Sequence, residues 1–194
     1  MHQGQDLPEE YTTPQYDRDL LATLPPIEVI DDLIGFYFEY CNWIYRHVNQ
    51  PSFTRHWARF KTGDSADKIV LATACTMMAI ATYFLPAKHS ILESFSETHE
   101  ELSAKFYQVS TTALSRRLAE AKAYSLELVE LYLIRGQYQT LSKNDSEEIW
   151  HIRGELVSIG TAMGLHRDPG KWKMHRDIAE RRRWAWWHIV LMER

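Results

Sequence analysis

Residues 69–85, IVLATACTMMAIATYFL, run for 17 positions without a charge, and any fold this chain adopts must hide them. A bilayer span needs about 20 strongly apolar residues, and this stretch is shorter and diluted with threonine and alanine. It is read as a helix threading the middle of a helical domain, ended by Pro86, whose ring cannot continue it. Residues Leu126 to Leu141 are also apolar almost all round, so they predict a second helix walled in by neighbours. Two such helices need a sizeable shell. The 194 residues, 45% hydrophobic and 25% charged, can supply it within a single domain and without disulfide or metal staples.

The shell shows itself as helical periodicity. Past Leu24-Pro25-Pro26, where proline suits a first helical turn, Ile30, Leu33/Ile34, Tyr37, Cys41, Ile44 and Val48 recur at steps of three or four. Phe36, Phe38, Tyr40 and Trp43 widen that face, so one long helix packed on two sides is expected. Asn49-Gln50-Pro51-Ser52 breaks it, and Ser52 is the expected cap of a short helix holding Phe53, Trp57 and Phe60. Lys61 to Ser65 is a loop by composition. Ser94 or Ser96, with Glu97 or Glu100 in the first turn, is the expected start of a helix. Its buried stripe is Leu102, Phe106, Val109 and Ala113; Arg116, Arg117, Glu120 and Lys122 suit its wet side. Lys143 to Ser146 is a turn in which Asp145 or Ser146 caps the next helix. Ile149, Ile152, Leu156, Ile159 and Met163 give the cleanest stripe in the chain. No strict alternation long enough for a strand occurs. The fold class is all-α: a single domain of about six or seven helices over residues 24–194, behind an irregular acidic lead-in at 1–23.

Charge is unevenly spread. Residues 1–40 hold nine acids and one base, residues 41–164 thirteen of each, and residues 165–194 eight bases and four acids. Head and tail could meet, but solvated faces are the simpler reading. The net charge of −4 gives no global pull toward nucleic acid or an anionic membrane. Two cysteines, Cys41 and Cys75, cannot make a disulfide framework or a four-ligand zinc site. Both lie in apolar stretches, as inert buried thiols do. No secretory leader opens the chain.

Chemistry is thinly signalled. None of the nine histidines forms His-Glu-x-x-His or an i, i+3 or i, i+4 pair on an expected helix, so most are read as surface or helix-end residues and no metal is assigned. His166-Arg167-Asp168 and His175-Arg176-Asp177 both spell the start of a kinase catalytic loop. The metal-holding Asn five residues on is replaced by Lys173 and Arg182. Gly-x-Ser-x-Gly and glycine-rich phosphate loops are absent. Arg181-Arg182-Arg183 spread around a helix and cannot share one groove, so they are expected to pair with Glu180 and other acids. The seven tryptophans are read as core anchors.

The C-terminal third reads as a corner. Gly160 sits inside a helix, where a neighbour's close approach would explain it. Gly164 fits the left-handed position that ends that helix, with Leu165 folding back. Asp168-Pro169-Gly170 is a turn. In the last helix, from about Asp177, Trp184, Trp187 and Leu191 share a face with Trp186 and Val190 beside it. The pattern is unfinished at Arg194, so a fragment or shortened product is expected.

These residues carry a resemblance. Trp150, Gly154, Met163-Gly164-Leu165-His166-Arg167-Asp168-Pro169, Glu180-Arg181-Arg182-Arg183, Trp186-Trp187 and Glu193-Arg194 resemble the fungal-specific transcription factor domain. This is the middle homology region of fungal zinc binuclear-cluster regulators. Met163 and Glu193 depart mildly from its pattern. Leu24-Pro25-Pro26, Tyr37, Trp43 and Pro51-Ser52-Phe53 look like its opening, with His47 displaced from the family's His. The resemblance covers about residues 24–194.

The resemblance implies a helical regulatory domain in a nuclear regulator of RNA polymerase II transcription. It implies zinc only in a six-cysteine DNA-binding cluster that this chain lacks, and no cofactor within the chain itself. DNA would be contacted through that outside module. A small-molecule effector or a coregulator protein would supply the signal. No membrane is implied, and the oligomeric state, a homodimer included, stays open. His166, Arg167 and Asp168 are expected to satisfy backbone groups and each other, with no catalysis. The alternatives are a stand-alone helical partner-binding protein that lost its DNA-binding part, or an all-α enzyme.

Overall fold

A computed structural model describes residues 17–86, 88–121, 123–143 and 146–192. Among them are eight α-helices and no strand. They are α1 (Arg18–Leu21), α2 (Ile27–Phe36), α3 (Gln50–Lys61), α4 (Lys68–Phe84), α5 (His99–Glu120), α6 (Leu126–Ser142), α7 (Ser146–Ala162) and α8 (Arg176–Met192).

The uncharged run forms α4, and the chain is built around it. Asp67 accepts the Ile69 N–H at 2.8 Å and caps it. Every residue from Lys68 to Thr82 is buried. The helix packs on α2, α5 and α6. Two of its three threonines are satisfied inside the core: Thr76 and Thr82 donate to the carbonyls of Ala72 and Met78, and Thr76 shares a 2.8 Å hydrogen bond with Ser110 of α5. From α5, Ser103 also donates to Ala79 O at 2.7 Å. Among the described residues no helix is long and apolar enough to cross a membrane. α6 is buried along most of its length and packs on α7, while α8 lies against both.

Several local expectations are corrected. Arg18–Leu21 make one helical turn within the stretch read as irregular, and Asp17 beside them is buried, bridging to Lys68 (3.4 Å) and Arg116 (3.0 Å). The long helix expected through Val48 stops at Phe36. Tyr37–Cys41 form one π turn, which adds a residue to the turn and shifts the helical face. The chain then leaves the helix, with Arg46 at φ 47°. Tyr37, Cys41 and Val48 stay buried, whereas Tyr40, Trp43, Ile44 and Tyr45 are exposed. Asn49, not Ser52, caps α3, accepting the Ser52 N–H at 3.0 Å. Thr98, not a serine, opens α5. Its side chain and Glu101 satisfy each other's backbone N–H groups. Ser90–Ser94 are a short 3-10 turn before it.

The stripes of α5 and α7 are buried as read: Leu102, Phe106, Val109 and Ala113 on one, Ile152, Leu156 and Ile159 on the other. The tryptophans are not the core anchors expected. Trp57 is buried and Trp186 is partly so, but Trp43, Trp150, Trp172, Trp184 and Trp187 are exposed. The caps expected from Asp145 or Ser146, the Lys122 position and the Glu193-Arg194 ending lie outside the described residues or side chains.

Candidate regulatory site: the helix corner and the cavity beside it

The corner forms as its residues dictate. Gly164 adopts φ 66°, a conformation open to glycine. The Leu165 N–H reaches back to Gly160 O at 2.8 Å and the Gly164 N–H to Thr161 O at 2.9 Å, closing α7 in a Schellman turn. Leu165 is buried. Gly160 faces α8 directly: a Cβ there would stand 2.8 Å from Ile189 Cδ1 and 3.3 Å from Trp186 Cζ3. Asp168 then caps a 3-10 turn, Pro169–Lys171, by accepting the Gly170 N–H at 3.0 Å. Arg183 donates to the same carboxylate at 2.9 Å. The Gly170 N–H, with Arg183 behind it, holds the Asp168 carboxyl below its usual range.

Three consecutive arginines of α8 do three different jobs. Arg183 pairs with Asp168 and with Glu180 at 2.5 Å, all at the surface. Arg182 donates to Met163 O at 2.7 Å, answering a carbonyl at the end of α7, and its guanidinium lies 5.5 Å from the Trp172 ring centre. Arg181 turns inward. Its Nε donates to Glu130 of α6 at 2.6 Å, and its Nη1 pairs with Glu127 at 2.9 Å and approaches Ser52 Oγ at 3.4 Å. Glu130 also accepts the Asn49 N–H at 3.2 Å. Arg181 thus ties α8 to α6 and to the Pro51-Ser52-Phe53 turn 129 residues away. Burial pushes the Glu130 carboxyl up, against the pull of Arg181. Burial opposes the Arg181 charge too, but Glu130 and Glu127 outweigh it and raise its pKa.

The remaining motif residues take separate places around this corner. His166 stands edge-on to Trp186 with ring centres 5.8 Å apart, and the Arg167 N–H returns to Gly164 O at 3.2 Å. Trp150 is exposed on α7 with Arg153 5.6 Å from its ring centre. Gly154 has no atom within 4 Å of where a Cβ would be, and Trp187 is 58% exposed. The described acids of the head that pair do so with Lys61, Lys68 and Arg116 rather than with the basic tail.

Two features escaped the sequence reading. One is a polar seam between α5, α6 and α7. Glu148 accepts from the Tyr107 hydroxyl (2.5 Å), Arg135 (2.8 Å) and Gln139 (2.5 Å). Arg135 also donates to Ser110 and Thr111 and lies 4.4 Å over the Tyr107 ring. Burial pushes the Tyr107 phenol up. The other is a cavity of about 500 Å³ at the C-terminal end of α8. Tyr40, Trp43 and Tyr45 from the segment after α2, and Phe84 at the end of α4, give it aromatic walls. Gln137, Thr140 and Leu141 of α6, Arg153 of α7 and Leu191 of α8 are also among its lining.

His47 and His188 are exceptions to the surface or helix-end placement expected of most histidines: they line this cavity and are 7% and 3% exposed. Their rings meet edge to face at 4.7 Å; Tyr45 stacks on His47 and Trp184 stands edge-on to His188. His47 Nδ1 and both His188 nitrogens lack a hydrogen-bond partner. Burial, with His188 beside it, pushes His47 down to about 3, and burial lowers His188 too. Cys41 and Cys75 are buried free thiols, each pushed by burial up to about 12. Among the described residues, no three His, Cys, Asp or Glu side chains are placed to hold a metal ion.

Known proteins resemble this chain over most of its length. The chain is 26% identical to the Equisetin cluster transcription factor eqxF of Fusarium heterosporum, over 91% of this chain and 27% of the relative. It is 24% identical to the Zn(2)-C6 fungal-type transcription factor mpsB of Macrophomina phaseolina (strain MS6), over 99% and 26%. It is 26% identical to the Fusarisetin A cluster transcription factor fsa6 of Fusarium sp. (strain FN080326), over 91% and 25%. The chain spans about a quarter of the length of these relatives. No solved structure matches it significantly. The profile described as the fungal specific transcription factor domain matches residues 34–194, and the chain belongs to that family.

Proposed function

We propose that this chain is the regulatory and interaction module of a fungal transcription factor. It acts in the nucleus on RNA polymerase II transcription and is not an enzyme. DNA is contacted by a zinc cluster outside the chain, as the name of the Macrophomina relative suggests for that protein. The observation that carries this reading is the disposal of the three arginines. A basic patch that reads DNA keeps its cations free for phosphates. Here Arg181 is bound to buried Glu130 and half-buried Glu127, Arg182 to a carbonyl and Arg183 to two carboxylates. The basic stretch stitches helices together and leaves an aromatic surface outside.

The test is a reporter assay in a filamentous fungus, with the chain fused to an unrelated DNA-binding domain. The fusion is expected to change transcription from the cognate promoter relative to the DNA-binding domain alone. The unfused chain is expected to show no salt-dependent shift of duplex DNA. An unchanged reporter, or duplex binding by the chain itself, overturns the reading.

A further inference from the structure

Resting on that regulatory reading, we propose that the cavity between the segment after α2 and helices α6, α7 and α8 binds a planar, unsaturated organic monoanion carrying hydrogen-bonding oxygens.

The size is right: about 500 Å³ falls within the range of small-molecule sites, roughly 300–1,000 Å³. So is the lining. Tyr40, Trp43, Tyr45 and Phe84 offer ring faces and edges, which favour a flat conjugated body over a branched aliphatic one. The polar groups are few and unspent. Two buried imidazoles line the space and have nitrogens without partners, a state that buried polar groups rarely keep unless something else satisfies them. Held neutral by burial, each offers one N–H donor and one acceptor. Those nitrogens are sealed from solvent, and turned toward the cavity by side-chain rotation they suit carbonyl or hydroxyl oxygens.

The charge follows from the inventory of the lining. Among the described residues that line the cavity, Arg153 is the only Lys, Arg, Asp or Glu. Its Nε has no hydrogen-bond partner, and its described contact is the Trp150 ring. One guanidinium, with no carboxylate opposite it among the described lining residues, selects one negative charge. His188 and Leu191 come from α8, the helix that carries the corner motif, so occupancy is felt at the exposed Trp184 and Trp187 of the same helix.

The probe is anthraquinone-2-carboxylate, with 2-(hydroxymethyl)anthraquinone as its neutral counterpart. Binding to the 194-residue chain is followed by calorimetry and by quenching of tryptophan fluorescence. The anion is expected to bind at least about tenfold more tightly than the neutral compound, as one charge-assisted contact allows. Arg153→Gln erases that preference while leaving the neutral compound's affinity in place. Thr140→Phe, at an exposed position on the rim, fills the space and abolishes binding of both. Circular dichroism and melting confirm that both variants fold. Absence of anion binding at millimolar concentration, equal affinity for anion and neutral compound, or binding indifferent to Thr140→Phe would each sink the proposal. None of these results bears on the ligand-free reporter experiment, so the two ideas fail separately.

Discussion

Arg181→Ala and Arg183→Ala differ by two positions on one helix, and the structure assigns them different consequences. Arg183 pairs with carboxylates 60% and 62% exposed; such pairs contribute about 0.2–1 kcal/mol. Arg181 pairs with Glu130, whose side chain is 8% exposed. Removing one member of a buried pair leaves the other charged and desolvated, at about 3–5 kcal/mol. That is a large share of the roughly 5–15 kcal/mol that holds most domains folded.

The assay is urea unfolding at pH 7 followed by tryptophan emission, with the midpoint and slope read separately. Arg181→Ala is expected to lose several-fold more stability than Arg183→Ala. The double variant Glu130→Gln/Arg181→Met is expected to recover much of the loss, because no buried charge remains. The pH dependence has a definite sign. Burial already raises the Glu130 pKa with Arg181 present; without Arg181 it rises further. The folded variant therefore takes up a proton more readily than the unfolded chain, and its deficit shrinks as pH falls toward the ordinary carboxylate range. Equal losses for the two single variants would refute the reasoning, as would losses in the double variant that simply add.

Two further expectations are independent of that pair. Gly160→Ala drives a methyl to within 2.8 Å of Ile189 and should destabilise by about 1–3 kcal/mol. Gly154→Ala meets nothing within 4 Å and should stabilise by roughly 0.5–1 kcal/mol; thermal melts of both variants check the contrast. His47, lowered from 6.5 to about 3, makes the folded state bind fewer protons than the unfolded one, so its contribution is intact above its ordinary value and is lost as pH falls through the window down to about 3. At pH 5 the loss is about 2 kcal/mol. His47→Phe should flatten the stability profile between pH 7 and pH 5 by that amount, and parallel profiles for variant and parent would count against it.

The sequence discloses structure wherever the deciding forces are local. The uncharged run of α4 and the stripes of α5 and α7 are set by burial at a helical period, so they are visible one residue at a time. The corner was visible for the same reason: a left-handed glycine, an Asp-Pro-Gly turn and a mid-helix glycine each answer a nearby steric demand. The long helix through Val48 was misread because a π turn preserves apolar residues while moving the face they point to. Tyr37 and Cys41 stayed inside; Tyr40, Trp43 and Ile44 did not. The buried polar groups were the least legible. Glu130, Arg135 and Gln139 lie in a helix that reads as apolar, and their partners are on other helices. The pairing of Glu130 with Arg181, 51 residues away, together with the Asn49 N–H, makes that carboxylate tolerable inside.

The magnitudes limit how a signal could travel from the cavity. A ligand at a hundred times its dissociation constant stabilises the state it binds by about 2.7 kcal/mol. Breaking the Arg181 tie would cost about 3–5 kcal/mol. Occupancy alone is therefore too weak to pull α8 off α6 and the α3 cap, and the helix stays locked at its N-terminal half. Its C-terminal half has no buried ion pair among the described residues: His188 is held by ring contacts and Leu191 is exposed. Ile189 in that half is buried against Gly160, so a ligand-driven shift would fall on the rim side chains and on the segment from Tyr40 to Tyr45 that faces them across the cavity. Those two stretches carry Trp43, Trp184 and Trp187. With the cavity filled as proposed, the lock at one end would confine the response to the aromatic side chains around it, Trp184 among them with its Nε1 donating to Arg46 O at 3.2 Å, and would leave the fold as it was.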